Sequence, residues 1–269
     1  MLGRKIIVKI SALVIIFILK FEKYNKISSM KKILIGFTNE SFREGNKFIQ
    51  KKIHNGMNHK IDYNILSNFN FVPKLILNSN EKIIWEWIDG EKVEPKIETL
   101  EKIASQLREI HNSNLDFPPS NHSFRVEHYL KVLSEKGINN TVIVKYYDFI
   151  KKILQKMDKS KPLHNDLWLM NMIEKDQKIY FLDWEYASKG DIHFDLAYFI
   201  ESAKLNSEKE RIFLNFYGII NYENLLLQKI LVLYLIILWV NAQETKHFDD
   251  TPYAKKLEDL YLVFASRKE

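Results

Sequence analysis

The chain has 269 residues, of which 46% are hydrophobic and 13% aromatic, enough apolar surface for a full core in one large domain or two lobes. The 40 Lys and Arg residues and the 34 Asp and Glu residues leave a dispersed net charge of +6, which does not indicate a nucleic-acid-binding protein. The absence of cysteine excludes a disulfide framework and a thiolate metal site.

Residues 1–29 form an apolar amino-terminal extension, whose hydrophobic run from Ile10 to Leu19 is ten residues long. A helix of that length is too short to span a bilayer. Arg4 and Lys5 precede the run as in a signal peptide, but no small-residue cleavage site follows it. Two interpretations stay open: a helix that lies on a membrane or packs on the fold, or a start codon assigned too early, with Met30 as the true beginning.

After the extension the sequence predicts a strand, a polar loop and a second strand. The strands cover residues 31–37 and 47–53, and the loop between them covers residues 38–41. A strand, loop and strand of this kind can cover a triphosphate.

The second strand carries a candidate phosphate-binding lysine. Strict alternation places Lys51 on the same face as Ile49 and Ile53, so we expect Lys51 to point inward among apolar neighbours. A register slip of one residue would give that position to Lys52.

Residues 61–69 are predicted to be helical, and residues 83–88 form a strand that closes at the turn Asp89-Gly90. We expect the large side chains of Trp85 and Trp87 to pack in a core, because large aromatic residues favour buried strands.

Helical patterns dominate the rest of the chain. In the first of them, apolar residues recur at intervals of three and four from a Pro near the first turn, at Ile97, Leu100, Ile103, Ala104, Leu107 and Ile110. The further predicted helices cover residues 124–136, 142–157, 207–217, 225–242 and 251–264, and another begins after Gly190.

The segment from Leu163 to Glu185 carries two carboxylates and an amide. Asn171 follows Asp166 by five residues, and Asp183 follows Asn171 by twelve. Phosphoryl transfer from ATP needs a carboxylate at the acceptor hydroxyl and oxygen ligands that fix magnesium on the phosphates. We therefore assign Asp166 to the acceptor hydroxyl and Asn171 and Asp183 to magnesium, with His164 bracing the loop.

The residues between Asn171 and Asp183 predict a β-hairpin. Two short apolar-rich strands flank a polar turn at Asp176-Gln177, which would bring Asp183 back beside Asn171. The alternative is a surface loop that carries acids and amides only because such residues favour turns.

The pattern His-x-Asp-x-x-x-x-Asn followed by Asp resembles the catalytic and metal-binding loops of the protein-kinase-like superfamily. The similar forms are those of choline/ethanolamine kinases and aminoglycoside phosphotransferases. The resemblance covers nearly everything after Met30 and implies a two-lobed α+β fold that binds ATP and Mg2+. Residues 30–88 would form a small sheet-based nucleotide lobe, and residues 89–269 a larger, mainly helical lobe that carries the catalytic and acceptor sites.

The resemblance also implies which residues hold the nucleotide. The polar loop would offer donors to the phosphates, the inward lysine would pair with an acid on the following helix, and backbone groups of the lobe-linking strand would hold adenine. That acid is usually Glu in the superfamily, so Asp62 has a second interpretation as a helix-surface acid. The residues concerned are Thr38, Asn39, Ser41, Lys51, Asp62, Glu86 and Ile88.

For the acceptor, residues 238–254 are similar to the carboxy-terminal pattern of choline kinases. The match implies an ammonium cage formed by Trp239, Phe248 and Tyr253, with Tyr186 beside the site. Glu185 would contribute to metal or ammonium binding. The alternative for the aromatic residues is a place in the helical core. An aliphatic residue, Ile236, stands where the family often has a second tryptophan, so ethanolamine stays open as the acceptor.

These expectations describe a cytoplasmic kinase that uses ATP to phosphorylate choline or ethanolamine, with Asp195 bracing the catalytic loop as in the family. A kinase for aminoglycosides or other small alcohols is the alternative within the same class. The alternative of another class is a catalytically silent nucleotide-binding scaffold, which intact Asp166, Asn171 and Asp183 argue against. The sequence indicates neither a nucleic-acid partner nor an oligomeric state. Any contact with a membrane would be made by the amino-terminal extension.

Overall fold

The computed structural model describes residues 30–34 and 39–267. The chain divides into two compact units. The smaller unit consists of the chain up to Ile53 together with Ile76–Trp87, and the larger unit consists of His54–Leu75 together with the chain from Ile88 onward. The unit changes between Trp87 and Ile88, one residue before the predicted lobe boundary, whereas residues 54–75, expected in the smaller lobe, belong to the larger unit. The amino-terminal extension, Gly36 and Thr38 lie outside the described residues.

The smaller unit is built on a five-stranded sheet with the strand order β1-β2-β3-β5-β4. The strands are β1 (Lys31–Ile33), β2 (Glu40–Glu44), β3 (Lys47–Lys51), β4 (Leu75–Asn78) and β5 (Lys82–Glu86). Residues 40–44 thus form a strand that pairs antiparallel with β3, so the predicted polar loop is wrong at Glu40 and Ser41. Only one large apolar residue, Phe42, lies in β2, which left its strand pattern too weak to recognise.

The two tryptophans of the strand region lie in different surroundings. Trp85 is buried, as expected for a core residue. Trp87 is partly buried and its ring lies under the Arg43 guanidinium, whose carbon is 4.3 Å from the ring centroid. Neither side chain therefore needs a ligand to explain its position.

The larger unit contains seven helices among the described residues. They are α1 (Ile97–Asn112), α2 (His122–Glu135), α3 (Thr141–Lys156), α4 (Ile192–Ser202), α5 (Ser207–Tyr217), α6 (Tyr222–Ala242) and α7 (Thr251–Ser266). Every helix predicted after residue 95 is present, with ends shifted by a few residues. The helix predicted over residues 61–69 is instead a short 3-10 helix, Tyr63–Asn68.

Helix α6 forms the centre of this unit. It is apolar on all sides, and α2, α3, α4 and α7 all pack against it. Among the described residues it is the only helix long and apolar enough to cross a membrane, but 83% of its most apolar window is buried inside the protein. The Asn221 side chain caps its first turn by accepting hydrogen bonds from the backbone N–H groups of Glu223 and Asn224.

Two small antiparallel sheets complete the larger unit. One pairs β7 (Lys161–Leu163) with β10 (Ser188–Gly190), and the other has the order β6-β8-β9, where β6 is Glu91–Lys92, β8 is Met172–Lys175 and β9 is Lys178–Phe181. Strand β6 lies so close to β8 that a Cβ atom on Gly90 would come within 2.4 Å of the carbonyl oxygen of Glu174. Only glycine fits there without a shift of the backbone.

Candidate active site

The predicted hairpin is confirmed, and it brings the metal candidates together. Asp176 and Gln177 both have positive φ, at 50° and 60°, which is the turn geometry that matches the twist of two-residue hairpins. The hairpin pairs Met172 with Phe181, and one step further the N–H of Leu182 donates to the Asn171 carbonyl oxygen at 2.8 Å. Asp183 therefore comes directly after Leu182, the residue whose backbone is hydrogen-bonded to that of Asn171.

Asp166 is partly buried and held from two sides. The Tyr198 hydroxyl donates to its Oδ1 atom at 2.7 Å, and Asn171 Nδ2 donates to its Oδ2 atom at 3.0 Å. Burial raises the pKa of the Asp166 carboxyl, while the hydrogen bond from Tyr198 and the charge of Arg125 oppose that rise. The carboxylate is thus fixed in orientation and more basic than an exposed aspartate.

The donor chemistry of Asn171 and Asp183 suits a magnesium ion, and their role as its ligands stays a prediction. Asn171 directs its Nδ2 atom at the carbonyl oxygen of Asp166, at 2.9 Å, as well as at the carboxylate, so its side-chain oxygen is turned away from Asp166. Asp183 has a left-handed backbone with φ of 59°, an uncommon conformation for a residue other than glycine. One amide oxygen and one carboxylate form a partial set, which suits an ion that takes its remaining ligands from phosphates and water.

His164 connects the catalytic segment to the metal segment. It is fully buried, and burial lowers its pKa, so the ring is neutral at physiological pH. Its Nε2 atom lies 2.9 Å from the Leu182 carbonyl oxygen, and the Asp166 N–H points at Nδ1 from 3.3 Å. A neutral ring with its proton on Nε2 satisfies both contacts.

Asp195, on α4, holds the start of the same loop. Its two carboxylate oxygens accept the backbone N–H groups of His164 and Asn165, each at 2.8 Å. His111 Nε2 lies 3.2 Å from Asp195, and Tyr217 lies 2.8 Å from the other ring nitrogen of His111. These contacts connect the catalytic loop to α1, α4 and α5.

Four aromatic residues of the larger unit form what we call the aromatic cluster: Trp168, Trp239, Phe248 and Tyr253. The Phe248 ring centroid lies 6.2 Å from those of Trp168 and Trp239 and 5.5 Å from that of Tyr253. All four side chains are partly exposed, unlike the buried residues of α6 around them. The aromatic cluster is therefore not fully buried, and its role in acceptor binding stays a prediction.

The family follows from comparison with known proteins. Residues 47–229, more than half of the chain, match the profile described as choline/ethanolamine kinase. The chain belongs to the choline/ethanolamine kinase family. It is an ATP-dependent phosphotransferase with an alcohol acceptor, choline or ethanolamine, as the sequence predicted.

Individual relatives agree with this assignment. The Protein LicA homolog of Mycoplasma capricolum subsp. capricolum is 45% identical over 226 residues, which cover 84% of this kinase and 95% of the relative. A choline/ethanolamine kinase family protein from Mesorhizobium loti has a TM-score of 0.71 at 19% identity, with 91% and 96% of the two chains covered. The choline kinase LicA from Streptococcus pneumoniae has a TM-score of 0.65 at 22% identity, with coverage of 93% and 99%. These structures confirm the predicted fold.

Two further predicted acceptor residues of the kinase, Tyr186 and Glu185, have buried side chains. The Tyr186 side chain is buried, and the Arg125 guanidinium carbon lies 4.7 Å from its ring centroid. The Glu185 carboxylate is also buried and accepts from Asn58 Nδ2 at 2.7 Å, with His59 Nε2 at 3.2 Å. These contacts connect the metal segment to residues 54–59.

The nucleotide candidates of the smaller unit lie on or next to its sheet. Lys51 shares a face with Ile49, but its side chain is 59% exposed, so the expected inward orientation is wrong. It pairs with Glu40 at 3.3 Å because the two residues are opposite each other on β2 and β3. Asn39 accepts the N–H of Ile53 at 2.9 Å. The alternative lysine, Lys52, contacts Asn78 at 2.6 Å.

The other nucleotide candidates are Ser41, Glu86, Ile88 and Asp62. Ser41 is buried in β2, and Glu86 is the last residue of β5. Ile88, the first residue of the chain that follows in the larger unit, is buried. The carboxylate of Asp62 caps the 3-10 helix by accepting the Asn64 N–H at 3.0 Å, and the residue is exposed, which agrees with its second interpretation as a helix-surface acid.

Three residues at the catalytic loop were not recognised in the sequence. Tyr198 and Arg125 come from α4 and α2, far from the motif along the chain, and no local pattern marks them. Trp168 stands inside the motif at a position the pattern leaves unspecified. The one available signal was the unusual presence of a large aromatic residue two positions after Asp166.

Proposed function

We propose that this kinase phosphorylates choline, with Asp166 orienting the acceptor hydroxyl and Asn171 and Asp183 holding Mg2+. One observation carries the proposal: a continuous series of contacts joins the aromatic cluster to Asp166. The Trp168 ring centroid lies 5.9 Å from that of Tyr198, and the Tyr198 hydroxyl donates to Asp166 at 2.7 Å. A trimethylammonium group bound at the cluster would leave its hydroxyl, two carbons away, in the region of Asp166.

Asp166 acts on the acceptor. Its carboxylate accepts a hydrogen bond from the choline hydroxyl and directs the oxygen toward the γ-phosphorus of ATP. As the new oxygen–phosphorus bond forms, the bond from phosphorus to the bridging oxygen of ADP breaks, and the hydroxyl proton passes to Asp166. The raised pKa of this buried carboxyl suits it to hold that proton until release.

Asn171 and Asp183 act on the phosphates through the metal. When bound, Mg2+ neutralises the charge that accumulates on the phosphate oxygens during transfer. The hydrogen bonds from Asn171 Nδ2 to Asp166 turn the amide oxygen away from Asp166, which would leave it available to the metal. Loss of Asn171 would thus affect both the metal and the orientation of Asp166.

The smaller unit would supply the nucleotide contacts, in the roles that the family resemblance gives. Lys51 meets the phosphates, donors at Thr38, Asn39 and Ser41 cover them, and the backbone at Glu86 and Ile88 holds adenine. Lys51 already carries a partner, Glu40, in an exposed ion pair that a phosphate could replace at little cost, because such pairs contribute little stability. We also propose that Asp62 belongs to the nucleotide site and that Glu185 and Tyr186 belong to the acceptor site.

The acceptor is proposed to be choline because aromatic rings continue from Asp166 through Tyr198 and Trp168 into the aromatic cluster. The pKa of Tyr253 is raised by burial and, to a smaller extent, by the charge of the buried acid Glu201. The Glu201 carboxylate lies 2.6 Å from Lys256 Nζ and 3.6 Å from Lys229 Nζ. Its negative charge is therefore largely balanced. A polycationic aminoglycoside would need several unbalanced carboxylates, whereas a quaternary ammonium needs aromatic faces.

A panel of acceptors tests this proposal. Transfer of radiolabelled phosphate from ATP is measured with choline, ethanolamine, an aminoglycoside and a hexose, and choline should give the highest kcat/KM. Asp166→Ala should remove turnover and leave ATP binding unchanged, and exposed Asp259→Ala on α7 is the matched control. A preference for another acceptor would refute choline, and retained turnover in Asp166→Ala would refute the role of Asp166.

We place the kinase in the cytoplasm, where its donor ATP is available. The burial of most of α6 inside the larger unit supports this placement, since 83% of its most apolar window packs against the protein itself. Fractionation of cells with an antibody against the chain tests it.

A further inference from the structure

Trp168 is part of both the catalytic loop and the aromatic cluster. It stands two residues after Asp166, and its ring contacts Tyr198 on one side and Phe248 on the other, at centroid distances of 5.9 Å and 6.2 Å. The side chain is partly exposed, although Leu167 before it is buried. The other members of the cluster come from α6, α7 and the segment between these helices.

The backbone of Trp168 is fixed relative to the reacting groups. Its N–H donates to the Asp166 carbonyl oxygen at 3.0 Å, and its own carbonyl oxygen accepts the N–H of Asn171 at 2.9 Å. These two bonds form a tight turn between the acceptor carboxylate and the metal amide. The point from which the indole projects is therefore fixed between the two groups.

The ring planes form a corner instead of a stack. Trp168 lies at 87° to Tyr198 and at 64° to Phe248, whereas Trp239 and Tyr253 lie at 31° and 46° to Phe248. The rings of the cluster are therefore not all parallel, so a rounded cation beside them would meet ring faces of different orientation. One turn before Trp239, α6 offers the buried aliphatic side chain of Ile236, so the helix supplies one ring only.

We propose that Trp168 is the wall of the acceptor pocket that favours a quaternary over a primary ammonium. The inference rests on the proposed function, because it assigns the ammonium of the acceptor to the aromatic cluster. A trimethylammonium group cannot donate hydrogen bonds and gains its binding from methyl contact and the charge on ring faces. A primary ammonium keeps its hydrogen bonds to water or carboxylates and depends less on any one ring.

The test compares Trp168→Leu and Trp168→Phe with the wild-type kinase. KM and kcat are measured for choline and for ethanolamine, and tetramethylammonium is titrated calorimetrically as a probe that cannot be phosphorylated. Trp168→Leu should raise the choline KM and the tetramethylammonium Kd about tenfold, with kcat and the ethanolamine KM changed by less than about threefold. Trp168→Phe keeps a ring and should recover most of the lost affinity. Exposed Phe124→Leu on α2 is the control for loss of an aromatic side chain elsewhere.

The outcomes separate the inference from the proposed function. An equal change in KM for choline and ethanolamine, or a fall in kcat without a change in the Kd of tetramethylammonium, would overturn the role of Trp168 as a selective wall. If the wild-type kinase accepts neither choline nor ethanolamine, the proposed function fails. The Kd of tetramethylammonium still decides the inference in that case, because a loss of binding in Trp168→Leu supports the wall and unchanged binding refutes it.

Discussion

Removal of the Tyr198 hydroxyl is the most direct way to perturb Asp166 without touching it. Tyr198→Phe keeps the buried ring that contacts Trp168 and deletes the donor that lies 2.7 Å from Asp166 Oδ1. A hydrogen bond to a charged group contributes about 1.5–3 kcal/mol. Since about 1.4 kcal/mol corresponds to a tenfold change in rate, we expect kcat to fall roughly ten- to hundredfold. Because Asn171 Nδ2 still donates to Asp166 in this variant, we expect the fall in kcat to lie near the lower end of that range.

The same substitution should change the pH dependence of the rate. The hydrogen bond from Tyr198 lowers the pKa of Asp166 against the effect of burial, so its loss raises that pKa further. Activity needs the ionised carboxylate, and the acid limb of the kcat profile should therefore move to higher pH. The assay is steady-state phosphorylation of choline at saturating ATP across the acid range.

Tyr234→Phe provides the matched control. Its hydroxyl is also buried and donates to the Ile143 carbonyl oxygen at 3.0 Å, but it lies between α6 and α3 and has no contact with the catalytic loop. This variant should lose about 1 kcal/mol of stability with an unchanged kcat. If Tyr198→Phe keeps a wild-type kcat and pH profile, the hydroxyl does not orient Asp166 and the reasoning is wrong.

Three further predictions concern the brace, the metal and the sheet. Asp195→Asn should reduce the free energy of unfolding by about 3 kcal/mol, because two backbone N–H groups lose a carboxylate. Burial alone would raise the pKa of Asp195, but the contacts with His111 and the His164 N–H outweigh burial and lower it. The stability that the Asp195 carboxylate contributes is therefore fully present above the ordinary pKa of aspartate and is lost as the pH falls through the lowered pKa. Urea unfolding at several pH values measures it, and a difference that grows at low pH would contradict the sign. Asp183→Asn should raise the Mg2+ concentration for half-maximal rate at least about tenfold, and an unchanged requirement would remove Asp183 from the metal site. Gly90→Ala should cost about 1–3 kcal/mol, because its Cβ would lie 2.4 Å from the Glu174 carbonyl oxygen, and an unchanged urea midpoint would show that the strands can separate there.

Local patterns predicted much of the larger unit. The hairpin between Asn171 and Asp183 was recognisable because alternation and a two-residue polar turn are encoded within about ten neighbouring residues. The helices were recognisable because their buried faces repeat every three to four residues. Strand β2 was missed because its single large apolar residue, Phe42, does not produce a pattern.

Side-chain direction was less predictable than element type. Lys51 lies on the predicted face of β3, but whether that face is covered at the end of the strand depends on distant parts of the chain, and its side chain is exposed. Tyr186 follows the metal segment directly in the sequence, and its buried ring lies against Arg125 of α2, a contact that no local pattern marks. The neighbours of a side chain thus do not follow from its position in the sequence alone.

The sequence by itself determined the local arrangement of the proposed reacting groups, since the spacing of Asp166, Asn171 and Asp183 depends on one loop and one hairpin whose conformations are set by nearby residues. Only the tertiary structure decided what surrounds those groups. Tyr198 reaches Asp166 from α4, and Phe248 reaches Trp168 from the segment before α7, because α4 and α7 both pack on α6. Contacts between residues 30 to 80 positions apart arise from the packing of whole helices, and no short stretch of sequence contains that information.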